Sequence, residues 1–231
     1  MRLRWLMAGL KCLGIAIYVL GLPFFIVWLA GDWHWVEGWV FGGWFAGLFG
    51  FSMLWLYLKD RSLLAERLRM PGSGGQSGPD LMILLGIKVL SITWIVVSPL
   101  DVRFAWLPRI PAWVEIFGAI ALAWGGFFLF RSLADNTFSS QVVRIQAERG
   151  HHLIDNGVYE IVRHPLYLGG CLVSIGGPLL LGSLAGLLAG VGVVGLIVIR
   201  IFGEEDLLVQ KLEGYDDYRR RVRHRLLPGV W

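Results

Sequence analysis

The chain has 231 residues, of which 56% are hydrophobic and 16% charged, where soluble domains carry about 25% charge. Its mean hydropathy of +0.63 excludes an ordinary water-soluble fold, and its length suits one bundle rather than several independent domains. The net charge of +4 does not signal nucleic acid, because the basic residues gather in segments that read as the cytoplasmic edges of an integral membrane protein.

A membrane-crossing helix needs about 20 mostly apolar residues. The first predicted span covers residues 6–30. Lys11 interrupts its early part and no small-residue cleavage site follows, so it reads as an uncleaved helix rather than a signal peptide. A short acidic, Trp-bearing turn, 31–37, leads to the second span, 38–58. Residues 59–80 are polar, with an amphipathic piece at 62–70 and a Gly/Ser/Pro linker at 71–79. That linker is glycine-rich without the pattern of a phosphate loop or dinucleotide fingerprint, and no strand precedes it. The third span is 81–99, with Lys88 inside it facing the bundle or snorkelling. A loop with two prolines, 101–111, precedes the fourth span, 112–133.

Residues 134–165 are polar, and 166–201 are apolar almost throughout. At 1.5 Å per residue that run would measure about 54 Å as one helix, against a hydrocarbon core of about 30 Å. Gly176-Gly177-Pro178 and Gly182-Ser183 offer places to turn, so the run predicts a hairpin of a fifth and a sixth helix. The expected fold is therefore all-α: a polytopic bundle of about six transmembrane helices with a C-terminal hairpin. It divides into a four-span region, 1–133, and a catalytic region, 134–231, that ends in a basic amphipathic tail. Arg and Lys cluster at the N-terminal edge, in 59–69, in 131–163 and in the tail, whereas the other side carries only Arg103 and Arg109. The positive-inside rule then puts both termini and any site near these segments in the cytoplasm.

The two cysteines, Cys12 and Cys171, both fall in predicted spans. Without a CxxC or Cys/His spacing, neither a disulfide framework nor a metal site is expected.

Two polar blocks stand at the edges of the apolar runs. Polar groups there are costly unless they are satisfied or used. The first is H-H-L-I-D-N-G-V-Y-E-I-V-R-H-P-L-Y-L-G, from His151 to Gly169. Asp155-Asn156-Gly157 reads as a turn, and His164-Pro165 as a helix entry that places Tyr167 in the first helical turn. A helix start presents free N–H groups suited to a carboxylate or phosphate. The second block is R-I-F-G-E-E, from Arg200 to Glu205. Arg200 and Glu204 share a helix face. Arg offers a planar fork for a carboxylate, and Glu an acceptor for an amine or a hydroxyl. Arg200 and Glu204, with Arg163 of the first block, are the candidate catalytic residues. The run from Tyr215 to Arg225 alternates acidic, aromatic and basic residues and reads as a solvated or lipid-facing amphipathic helix.

These motifs, H-x-L-I-x-x-G-x-Y-x-x-V-R-H-P-x-Y-x-G, then an apolar hairpin, then R-x-x-x-E-E-x-x-L and G-Y-x-x-Y, resemble the isoprenylcysteine carboxyl methyltransferase family over about the last 95 residues. The resemblance implies S-adenosylmethionine as cofactor, bound at the cytoplasmic face without metal. It implies that Gln146, His151, Leu153, Ile154, Tyr159, His164, Pro165, Tyr167 and Glu204 form the cofactor site, and that Arg200 meets a lipophilic or lipidated acceptor. An NADPH-dependent sterol-reductase type, with its similar C-terminal motifs but longer chain, and a non-catalytic membrane accessory protein are the alternatives.

Overall fold

Proline and glycine set where the helices of this chain begin and turn. The computed structural model describes residues 14, 19–59, 63–64, 78–138 and 152–231, whose regular structure is entirely helical. The helices are α1 Val19–Ala30, α2 Val36–Lys59, α3 Gly78–Phe104 and α4 Ala112–Asp135. A 3-10 turn, Gly157–Glu160, follows, then α5 Pro165–Leu180, α6 Leu184–Lys211 and α7 Tyr215–Arg221. Among the described residues, four helices (α2, α3, α4 and α6) are long and apolar enough to cross a membrane, where the sequence predicts six spans; α1 and α5 are shorter apolar helices. The amphipathic piece at 62–70 and the linker before Gly78 fall almost wholly outside the described residues.

Residues 166–201 do form a hairpin. Gly182, at φ +71°, makes the turn, and the Ser183 hydroxyl caps α6 by accepting the Gly186 N–H at 2.9 Å. Gly176-Gly177-Pro178, the other candidate break, lies inside α5. α5 is too short to match α6, so the last turns of α6 project beyond the start of α5.

α4 packs along α5 and α3 along α6. The first contact depends on glycines: a Cβ at Gly176 would lie 2.8 Å from the Gly118 carbonyl oxygen and 3.0 Å from the Leu122 nitrogen. One at Gly169 would lie 2.9 Å from the Gly125 oxygen. Small residues at matching positions let two helix backbones touch, as is common within membranes. Gly176→Leu should therefore part α4 from α5 and cost at least about 1–3 kcal/mol. Gly195→Ala, with nothing within 4 Å of the added carbon, should be neutral. Thermal melting of both variants in detergent checks the contrast.

The antiparallel α3–α6 pair is pinned by an aspartate at each end. Asp101, buried at 4% exposure, accepts the Ser183 hydroxyl at 2.7 Å and the Ala185 N–H at 3.1 Å, neutralising the start of α6. This anchor carries α3 past Pro99, where the third span was predicted to end, as far as Phe104. Asp80, about 30 Å away along the same helix, meets Arg200 near the other end of α6. Leu22, Phe41, Trp94, Leu122, Leu168, Val193 and Ile197 join in one apolar core between these levels.

Candidate active site

The described part of the first polar block begins against the end of α4. Asp135 accepts the Val158 N–H at 3.2 Å and pairs with Arg131 at 3.0 Å. Gly157, at φ +60°, is required there, because a side chain at that position would strike the Asp135 carboxylate. The turn buries Tyr159, whose hydroxyl donates to the Ser132 carbonyl on α4 at 3.4 Å. The chain then runs beside its own tail: the N–H groups of Arg163 and His164 donate to the carbonyls of His224 and Arg225 at 2.9 and 3.0 Å. Pro165 follows as the first residue of α5.

The side chains of this segment converge on Glu205, which is 7% exposed. Its Oε1 accepts Arg163 Nε at 2.7 Å and lies 3.2 Å from His164 Nε2. Its Oε2 accepts Arg225 Nε at 2.8 Å. Arg163 also donates to the carbonyls of Val222 and Arg223, both at 2.8 Å. The Arg225 guanidinium is flanked by the rings of Phe202 and Trp231, 5.3 and 5.2 Å away. One carboxylate thus ties the α5 start, the last turns of α6 and the tail together.

One position earlier on α6, about 100° around the helix, Glu204 faces a different set. Its Oε2 accepts the Tyr167 hydroxyl at 2.5 Å. Arg200, 6% exposed, donates from Nε to Asp80 Oδ1 at 2.9 Å, with its Cζ 5.9 Å from the Tyr167 ring centre. The Tyr167 ring in turn lies 5.7 Å from that of His164. A guanidinium, a phenol, a carboxylate and an imidazole therefore meet where the apolar hairpin ends.

Of the expected site residues, His164, Pro165, Tyr167, Arg200 and Glu204 come together here. Arg163 is adjacent, but its guanidinium points into the tail and Glu205. Tyr159 turns its hydroxyl toward α4, and Leu153 and Ile154 are half-buried on the approach to the 3-10 turn. Gln146 and His151 lie outside the described residues. Sequence reasoning missed Glu205, Asp80 and Arg225. The doubled glutamate was the available signal for Glu205; Asp80 and Arg225 had none, being distant in sequence. The tail also differs from its expected role. Tyr215 and Tyr218 of α7 are buried against the protein, while Asp217 and Arg219, Arg220 and Arg221 are exposed, because the tail packs on the first block rather than on lipid. Burial pushes both phenols well above the usual tyrosine range, so both stay protonated.

Fold and site define an integral membrane protein of helical type with an ionic site at one end of its bundle. Residues 125–210 match the model of the isoprenylcysteine carboxyl methyltransferase family, so the family resemblance carried by the two polar blocks is borne out. Among curated relatives, a protein-S-isoprenylcysteine O-methyltransferase of Dictyostelium discoideum is 28% identical over 197 residues, 82% of this chain and 78% of the relative. Among solved structures, that of the eukaryotic intramembrane Ras methyltransferase, an isoprenylcysteine carboxyl methyltransferase, superposes with a TM-score of 0.52 at 17% identity. That match covers 96% of this chain and 86% of the other and supports the shared fold. These comparisons bear out the methyltransferase reading over the reductase and accessory-protein alternatives.

Proposed function

We propose that this chain transfers the methyl group of S-adenosylmethionine to the carboxylate of an isoprenylcysteine-like acceptor, at a site on the cytoplasmic edge of the membrane. The observation that carries the reading is the meeting of Arg200, Tyr167 and Glu204 at the open end of the hairpin, inside the family-matched segment. The residues present fit the cofactor. His164 turns its side chain to Glu205 and does not cap α5, which leaves the first-turn N–H groups to an anionic group. Glu204 offers a carboxylate to an ammonium or a ribose hydroxyl.

S-adenosylmethionine, when bound, supplies a sulfonium methyl that a carboxylate oxygen can attack directly, the sulfur keeping the bonding electrons. The acceptor carboxylate is already ionised, so no base is required. What the protein must supply is placement near 3 Å, in line, and exclusion of water. Arg200 orients the acceptor carboxylate through its fork, and Asp80 holds that fork in place. A site at the end of the apolar hairpin admits a polar cofactor from water and a prenyl chain from the bilayer. The same end of the bundle carries Lys59, Arg131, Lys211 and the basic tail, against Arg103 and Arg109 at the other, which supports a cytoplasmic site.

Calorimetric titration of the detergent-purified protein with S-adenosylmethionine and, separately, NADPH tests the class. A farnesylated cysteine with a free carboxylate, compared with its amide, then tests the acceptor. Binding of NADPH alone, or equal turnover of the amide, overturns the reading. Within it, Glu204→Gln should weaken S-adenosylmethionine binding roughly tenfold, by loss of one charge-assisted hydrogen bond. An unchanged dissociation constant in that variant removes Glu204 from the cofactor site.

A further inference from the structure

The outer face of α6 carries a stripe of exposed apolar side chains, Leu188, Val191, Ile199, Phe202 and Val209, whose spacing keeps them on one side of the helix. On a helix long and apolar enough to cross a membrane, such a stripe faces lipid. Asp206, exposed on the same stripe one turn beyond Phe202, marks where hydrocarbon gives way to headgroups, since a carboxylate facing acyl chains is costly. Phe202 therefore stands at the interface.

Residues 225–231 reach round to this point. The Trp231 ring lies 5.6 Å from that of Phe202, and the Arg225 guanidinium sits 5.3 and 5.2 Å from the two ring centres. The segment is a tight hook. The Trp231 carbonyl accepts the N–H groups of Arg225, Leu226 and Leu227 at 2.9, 3.0 and 3.2 Å, and Gly229, at φ +79°, makes the turn. Leu226 is buried, but Leu227 is left 48% exposed and Val230 78%, which in water would be a standing cost. Arg223, at the entry to the hook, is exposed. Among the described residues it forms no ion pair, unlike Arg219, Arg220, Arg221 and Arg225. An interfacial Trp, exposed aliphatic side chains and an unpaired guanidinium suit a headgroup layer, which offers acyl-chain ends to the first two and phosphate to the third.

We propose that residues 223–231 are an interfacial anchor, with Val230, Leu227 and Trp231 seated among the upper acyl chains and Arg223 on the phosphate of an anionic phospholipid. This seat is independent of the reaction the site performs. It bears on the site all the same, because the carbonyls of His224 and Arg225 receive the N–H groups of Arg163 and His164, and Arg225 reaches Glu205. The bilayer surface thereby braces the start of α5.

The test uses the full chain in phosphatidylcholine nanodiscs, with and without phosphatidylglycerol. Val230→Cys, combined with Cys12→Ala and Cys171→Ala, takes an environment-sensitive fluorophore. Asp217→Cys in the same background, at an exposed position of α7, is the aqueous reference. The label at 230 should emit to the blue and be quenched by lipid spin-labelled near the headgroup, and the label at 217 should do neither. Hydrogen exchange of the Arg225, Leu226 and Leu227 amides reports opening of the hook. It should slow about fivefold when phosphatidylglycerol is present, the effect of one basic residue at an anionic surface. Arg223→Gln should lose most of that gain. A label at 230 that reports water, or equal quenching at both positions, overturns the anchor. Exchange that ignores phosphatidylglycerol, or responds equally in Arg223→Gln, overturns the anionic-lipid contact. A label that stays in water until a second copy of the chain or a prenylated peptide is added gives the patch to that partner and overturns the proposal.

Discussion

Glu205→Ala is expected to destabilise the protein by about 3–5 kcal/mol, the usual result of removing one partner from a buried ion pair. The reason is the charge left behind. Arg163 is 8% exposed, and without Glu205 its guanidinium keeps only the carbonyls of Val222 and Arg223. Arg225 would lose the same acceptor. The melting temperature in detergent should fall on the order of 10 °C, and the tail should detach from the α5 start. Proteolysis of the tail would report that detachment. Glu205→Gln keeps one oxygen for Arg163 but turns an N–H toward a cation, and should fall between. Combining Glu205→Ala with Arg163→Met should recover much of the loss, because an apolar replacement of a whole buried pair is often near neutral. A Glu205→Ala variant that melts like wild type would show that the cluster holds nothing together.

Arg200→Ala is expected to lower kcat/KM for a carboxylate acceptor by on the order of 10²-fold or more while leaving S-adenosylmethionine affinity nearly intact. Glu204 and Tyr167 pair with each other, whereas Arg200 is held by Asp80 from α3, so the two functions separate on different partners. Arg200→Lys should recover only part of the rate, since a point charge cannot grip a carboxylate through two parallel hydrogen bonds. Asp80→Asn should slow turnover less than Arg200→Ala, through a fork no longer held at one angle. Equal loss of turnover and cofactor binding in Arg200→Ala would instead place Arg200 in the cofactor site.

Much of this was legible before any coordinates. Residues 166–201 are too long and too apolar to be one helix, and Gly182-Ser183 supplies the φ and the cap that a turn needs. Pro165 after His164 marks a helix start, and that start puts Tyr167 on its first turn. The four-residue spacing of Arg200 and Glu204 puts both on one face. Gly176-Gly177-Pro178 misled because helix-breaking residues are tolerated inside membrane helices when a neighbour packs against them, and α4 does so through Gly118.

The sequence alone determined the helical membrane class, the hairpin and the identity of the polar blocks, because those follow from hydropathy, turn chemistry and spacing within one helix. Only the tertiary structure decided which charges meet. Glu205 and Glu204 are neighbours in sequence, yet point to different partners because one residue turns a helix by about 100°. Asp80 reaches Arg200 across 120 positions, and Arg163 reaches Glu205 across 42. Pairings over such separations depend on how α3, α6 and the tail pack, which no local pattern encodes. The packing also turned Tyr215 inward, from a helix whose charges alone would place it in water.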